Sequence, residues 1–141
     1  MVKRISWLAV LALVYGAASL AHHLHNAMFL HDYPNLPPSL SVARVWLAWC
    51  ATALIGVVGY VLTRRRHEVA GLLLLALYAA LGLLGLLHYL LAPISDHSLT
   101  MNATIGCEVA SATVLLVAVV RKFVRREFAP AGGDERKMKQ S

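Results

Sequence analysis

The residues of this chain best suited to chemistry are its histidines and a few of its carboxylates. Three histidines stand at positions 22, 23 and 25, in the string Ala-His-His-Leu-His. Two more each adjoin an aspartate, in the pairs His31-Asp32 and Asp96-His97. Imidazole is the commonest metal ligand in proteins, and a carboxylate either joins it on the ion or orients it from behind. The residue types therefore favour a metal or cofactor site.

The spacings of these residues match no established catalytic or metal motif. The chain has no HExxH or HxxxH sequence, no CxxCH for covalent haem and no GxSxG nucleophile turn. Cys50 and Cys107 lie inside apolar runs, far from any CxxC pattern, which is typical of small buried hydrophobic residues. The sequence thus leaves open whether the protein is an enzyme.

Four apolar stretches must position these side chains. Hydrophobic residues make up 59% of the 141 residues and charged residues only 14%, against about 25% in soluble domains. The apolar runs cover residues 5–26, 41–63, 69–92 and 101–120, each close to the roughly 20 residues that cross a bilayer. No run alternates polar and apolar residues with period two, so strands are not predicted. We expect an all-α, polytopic membrane protein with a four-transmembrane-helix bundle at residues 1–128 and a flexible basic tail at 129–141.

The positive charges predict how this bundle is oriented. The net charge is +6, and four spans would bring nearly all the basic residues that flank them to one membrane face. The positive-inside rule then places both termini in the cytoplasm and the histidine-rich loops on the periplasmic side of a bacterial inner membrane. Topology and anionic lipid head groups explain the basic residues, so a nucleic-acid partner is not expected. The flanking basic residues on the inner face are Lys3, Arg4, Arg64, Arg65, Arg66, Arg121, Lys122, Arg125 and Arg126.

Helix geometry predicts one pocket near the outer side. His22 and His25 are three residues apart, so they lie within about 60° of each other on the first span. His88 has a similar depth on the third span, and Glu108 lies about two turns deep on the fourth. An ionisable side chain at mid-bilayer costs at least about 2.5–3.5 kcal/mol, so such residues usually face partners inside a bundle. We therefore expect zinc, iron or copper to be bound by residues from the set His22, His25, His88, Glu108, His31 and His97.

Three alternatives remain open at this stage. Non-covalent haem b would need two histidines at equal depth, and His22 or His23 with His88 meets that requirement. A metal-bound hydroxide would make the protein a metalloenzyme acting on lipid. In the third alternative, the protein is a structural or accessory subunit whose polar cluster only locks the helices together.

The second span also carries a seam of small residues that allows close helix packing. Such a seam fits packing inside the bundle, a homo-oligomer, or a larger membrane complex. Its residues are Ala48, Thr52, Gly56, Gly59 and Thr63.

The start of the chain permits a second interpretation. Lys3-Arg4, an apolar stretch and Ser19-Leu20-Ala21 resemble a signal peptide with a cleavage site. Cleavage there would leave His22 at the new N-terminus, where amine and imidazole together chelate copper well. The stretch is long for a signal peptide and carries Tyr15 and Ser19, which favours a retained first span.

Overall fold

A computed structural model describes residues 6–127 of the chain, and every regular element in that range is helical. The long helices end close to the predicted boundaries, and short 3₁₀ turns cover Leu30–Asp32, Leu83–Leu87 and Ile94–Asp96. The α-helices are α1 (Trp7–Met28), α2 (Val42–Thr63), α3 (Glu68–Gly82), α4 (His88–Leu91) and α5 (Leu99–Glu127).

Within residues 6–127, four helical stretches are long and apolar enough to cross a membrane, the number that the sequence predicts. The third stretch consists of α3, the 3₁₀ turn that follows it and α4. The stretches are Trp7–Met28, Val42–Thr63, Glu68–Leu91 and Leu99–Arg126. The predicted tail at residues 129–141 lies outside the described residues.

The last helix continues past the end predicted at residue 120. Lys122 Nζ lies 2.7 Å from Glu68 Oε1, and Arg126 Nη1 lies 2.9 Å from Glu68 Oε2. These contacts tie the end of α5 to the start of α3. Basic side chains are also favoured in the last turn of a helix, where the helix dipole is negative. The helix therefore includes the basic residues Arg121, Lys122, Arg125 and Arg126.

Serine side chains cap the N-termini of three helices. The hydroxyl of Ser6 accepts a hydrogen bond from the backbone N–H of Ala9, at 3.2 Å. Ser41 accepts from Arg44 at 3.4 Å, and Ser98 accepts from Met101 at 3.2 Å. Each serine satisfies one N–H that the first helical turn leaves without a partner.

The four long helices α1, α2, α3 and α5 form a ring in which α1 and α3 lie on opposite sides. Helix α1 contacts α2 and α5, and α3 contacts the same two neighbours. The half of the bundle near the α2–α3 turn has an apolar core that includes Leu11, Leu72 and Leu115. The rings of Tyr15 and Tyr78 pack over this core with their centroids 4.5 Å apart. Polar residues replace apolar ones above this tyrosine pair.

The small-residue seam of α2 packs against α3 of the same chain. Gly56 lies under the ring of Tyr78, where an added Cβ would come within 2.8 Å of the ring. Gly59 meets the backbone of Leu75, and Gly71 of α3 meets the backbone of Thr63. The two glycines of the seam are buried by these contacts, so this part of the seam is used within the bundle.

Candidate functional site

The histidines concentrate at one end of the bundle, which we call the histidine end. It comprises the last turns of α1, the short helix α4, the first turns of α5 and the two loops beside them. The opposite end, which we call the arginine end, carries the turn between α2 and α3 with Arg64, Arg65 and Arg66.

His22 and Glu108 form the buried centre of the histidine end. Each is only 2% exposed, and His22 Nε2 lies 3.6 Å from Glu108 Oε2. The amide of Asn26 donates to His22 Nε2 at 3.1 Å, and His22 Nδ1 lies 3.4 Å from the hydroxyl of Thr104. Because Nε2 accepts a hydrogen bond, the ring proton of a neutral His22 sits on Nδ1 and points to Thr104. The imidazole is thus fixed from both sides.

His23 joins this centre, although the sequence had not assigned it to the metal site. Its Nδ1 donates to the backbone carbonyl of Ser19 at 2.9 Å and lies 3.8 Å from Glu108 Oε1. The two oxygens of Glu108 therefore face two successive histidines. The position of α5 shows that the carboxylate lies between both rings, which the sequence alone does not reveal.

His88 completes the group from the third span. Its ring centroid is 5.4 Å from that of His22, with the two rings nearly perpendicular. One turn before His88, an added Cβ at Gly85 would lie 3.3 Å from Glu108 Oε2. Gly85 belongs to the 3₁₀ turn Leu83–Leu87, and 3₁₀ geometry inside a longer helix often accompanies a functional site. The absent side chain makes room for the carboxylate.

His97 and Tyr33 extend the group towards the loops. His97 is 5% exposed, its Nδ1 donates to the carbonyl of Pro93 at 3.0 Å, and its buried Nε2 has no hydrogen-bond partner among the described residues. Tyr33 is 4% exposed, although it lies in a loop, directly before Pro34. Its hydroxyl lies 2.8 Å from His25 Nδ1, and its ring centroid is 5.0 Å from that of His88.

Burial in the loop raises the pKa of Tyr33 to about 12. The hydroxyl therefore keeps its proton at neutral pH and shares a hydrogen bond with His25 Nδ1. Nothing in the sequence marked Tyr33 as part of the site. Its role as a contact between three histidines depends on the fold of the loop, which the sequence pattern does not reveal.

The six predicted ligands do not meet at one point. His22, His88 and Glu108 come together as expected, and His97 contacts His88 with ring centroids 6.2 Å apart. His25 instead faces a separate surface hollow that Asp32 and Asp96 also line, and His31 is exposed. Within residues 6–127, no three side chains of His, Cys, Asp or Glu are arranged to hold one metal ion.

A cavity of about 440 Å³ adjoins the cluster on the side facing α2. Its polar wall includes His22, His23, His88 and Glu108, and Thr52 is a polar residue on the α2 side. Its apolar wall includes Ala48, Ala51 and Ile55 of α2 with Leu81 and Leu84 of the third span. Ala48, Ala51 and Leu84 are exposed, so they mark the mouth of the cavity on the side of the bundle.

Comparisons with known proteins give no assignment. No protein family, curated protein or solved structure matches the chain. The function must be argued from these residues.

Proposed function

We propose that this protein is a membrane-embedded binding module that holds a cofactor or a metal ion at its histidine end. The single observation that carries the proposal is the grouping of His22, His23, His88 and Glu108 beside a cavity. A buried carboxylate is costly in an apolar bundle unless it has partners. Here the carboxylate borders an open volume, where it remains accessible to a ligand.

The charges support a definite orientation for this module. With the arginine end in the cytoplasm, the histidine end faces the periplasm of a bacterial inner membrane. The site would then exchange its ligand with the periplasmic side or with the outer leaflet. Glu68 offsets part of the positive charge at the arginine end through Lys122 and Arg126, but Arg64, Arg65 and Arg66 remain exposed there.

The donor set suits several ligands. Imidazole and carboxylate together accept zinc, iron or copper. A metal would require the rings of His22 and His88 to turn towards a common point with Glu108, since each now packs against a neighbour. Haem b would require its macrocycle to enter between these two rings, which are in contact at 5.4 Å. Metal binding therefore needs a smaller rearrangement of the side chains than haem binding.

A purely structural role is the second candidate, and one observation favours it. Both ring nitrogens of His22 already have partners within the bundle, in Asn26 and Thr104. A network whose members are all satisfied rigidifies a core without binding anything. A purely structural role explains neither the half-buried His88 nor the cavity beside it.

The metal content of the purified protein separates the two candidates. Wild-type protein in mild detergent is dialysed against Zn²⁺, Cu²⁺ or Fe²⁺, and its retained metal is measured together with its visible absorption. We expect retained metal or a haem Soret band in the wild type and its loss in the double variant His22→Ala/His88→Ala. His67→Ala, at the arginine end, is the matched control and should behave as the wild type. Protein that folds but retains neither metal nor haem would support the structural role.

A further inference from the structure

We infer that the cavity beside Glu108 binds a lipid-soluble molecule of the quinone class. Its polar ring would lie against His23, His88 and Glu108, and its tail would pass between Ala51 and Leu84. This inference rests on the proposed binding function and names the class of ligand. The inference starts from the lining of the cavity, which is polar on one side and mainly apolar on the other.

The size of the cavity exceeds what a metal ion needs. At about 440 Å³ it falls within the range of roughly 300–1,000 Å³ that is typical of sites for organic ligands. One wall is polar, with His22 and Glu108 buried, and the opposite wall is mainly apolar and reaches the surface at Ala51 and Leu84. Such a cavity fits an amphiphile whose polar head enters first.

The depth of the cavity indicates that the ligand arrives from the lipid. Ala48 and Ala51 lie well inside α2 (Val42–Thr63), and Leu84 lies inside the stretch Glu68–Leu91. If these helices cross a bilayer, the mouth opens at the depth of the hydrocarbon chains. A molecule that reaches this mouth must be soluble in lipid, which excludes hydrophilic metabolites.

The charges of the lining exclude an anionic head group. Among the described residues, no lysine or arginine lines the cavity, and Arg44 instead donates to the carbonyl of Ser39 at 2.6 Å. A phosphate or fatty-acid carboxylate would have no lysine or arginine to pair with, and an ionised Glu108 would repel it. A neutral head group avoids this repulsion.

The hydrogen-bonding groups favour a head with two separated oxygens. His23, His88 and Glu108 lie on one wall and Thr52 lies on the α2 wall, so hydrogen-bonding groups are present on both sides of the cavity. His23 uses Nδ1 to donate to Ser19, which leaves its Nε2 as an acceptor. Imidazole and carboxyl groups can donate to the carbonyls of a quinone or accept from the hydroxyls of a quinol. An alcohol with one oxygen would use only one side.

The test measures binding of decylubiquinone to the full-length chain in phosphatidylcholine nanodiscs. Quinones quench tryptophan fluorescence, and Trp46 and Trp49 stand on α2 near the mouth of the cavity. A Trp7→Phe background removes the tryptophan at the arginine end. We expect saturable quenching, weakened roughly tenfold or more by Ala51→Phe because the larger side chain occupies the mouth. Ala70→Phe is the matched control, since Ala70 is exposed near the arginine end and does not line this cavity, and it should bind normally.

Two ligands with the same tail test recognition of the head. Decanol is neutral with one oxygen, and decanoate is anionic. Neither should displace decylubiquinone at matched concentration, and His88→Ala should weaken quinone binding while leaving the fold intact.

Equal competition by decanol, or quenching that is linear and unchanged in Ala51→Phe, would overturn the inference. If the protein retains metal but shows no saturable quinone binding, the proposed function stands and this inference fails. If it binds neither, both fail.

Discussion

His22 of α1 and Glu108 of α5 lie 3.6 Å apart, and each is only 2% exposed. They come from helices at opposite ends of the sequence, so their contact fixes the packing of α1 on α5 at the histidine end. Removing one partner of a buried ionisable pair usually costs about 3–5 kcal/mol, whereas replacing both by apolar residues is often neutral or stabilising. This asymmetry gives the first prediction.

We expect Glu108→Leu and His22→Leu to have non-additive effects on the free energy of unfolding. His22→Leu alone should destabilise by about 3 kcal/mol, because it leaves Glu108 with one partner fewer. The double variant should recover at least about 1 kcal/mol of this loss, as contacting residues commonly show coupling of that size. Unfolding in sodium dodecyl sulfate, followed by circular dichroism, gives these values. Cys107→Ala, an exposed neighbour on α5, is the control and should stay within about 0.5 kcal/mol of the wild type. Additive single effects would contradict direct contact.

Gly71→Ala should destabilise the bundle, because an added Cβ would clash with the backbone of Thr63 and lie 2.7 Å from the carbonyl oxygen of Gly59. Backbone atoms cannot move aside as a flexible side chain would, so we expect a loss of about 1–3 kcal/mol. Gly106→Ala is the matched control, since nothing lies within 4 Å of its added Cβ. That change should be neutral or should stabilise by up to about 1 kcal/mol through helix propensity. The midpoints of thermal unfolding in detergent measure both. Equal effects of the two substitutions would contradict the close approach of α2 and α3.

Tyr33 makes the stability of the histidine end depend on alkaline pH. Its pKa is raised by burial from the ordinary 10.0 to about 12. Between these two values the unfolded chain loses the proton and the folded chain keeps it, so stability should fall as pH rises from 10 towards 12. Tyr33→Phe should make this fall less steep. His25, His88, His97 and Tyr89 surround the hydroxyl, and Tyr89→Phe serves as the control for a neighbouring tyrosine. An unchanged slope in Tyr33→Phe would show that the loop does not bury the hydroxyl.

The two ends of the bundle should lie on opposite sides of a membrane. In a Cys50→Ala/Cys107→Ala background, His31→Cys and Arg65→Cys place single thiols in exposed turns at the histidine end and the arginine end. A membrane-impermeant maleimide added to intact bacterial spheroplasts should label His31→Cys only, and labelling of Arg65→Cys should require lysis. Labelling of both thiols from the same side would refute the four-span topology.

The sequence predicted the number of spans because apolar length and composition depend on local residues alone. It also predicted that His22, His88 and Glu108 would approach one another, since depth along each helix follows from residue number. It missed that the carboxylate faces both His22 and His23, because rotation of α5 about its axis depends on packing with α1. The fold does not bring His25 and His31 to this group, because His31 is exposed and His25 contacts Tyr33.

The loops were the hardest part to predict. Tyr33 is buried by His88 and His97, and the side chain of Asn35 donates to the carbonyl of Leu91 at 2.9 Å. Asn35 also adopts a positive φ of 56°, a conformation that asparagine tolerates better than most residues. These contacts join residues far apart in the chain, so no local pattern signals them. The cavity likewise exists only because Ala48 and Ala51 face the polar wall across the bundle.

Native mass spectrometry of the full-length protein released from membrane vesicles tests the central claim most directly, because it detects any ligand without prior choice of its class. If the histidine end is a binding site, the wild type carries an additional bound mass, metal or organic, in defined stoichiometry. That mass should be absent from the folded double variant His22→Ala/His88→Ala and present in His67→Ala. A wild-type spectrum that shows only the apoprotein, or a bound mass that the double variant retains in full, would contradict the account.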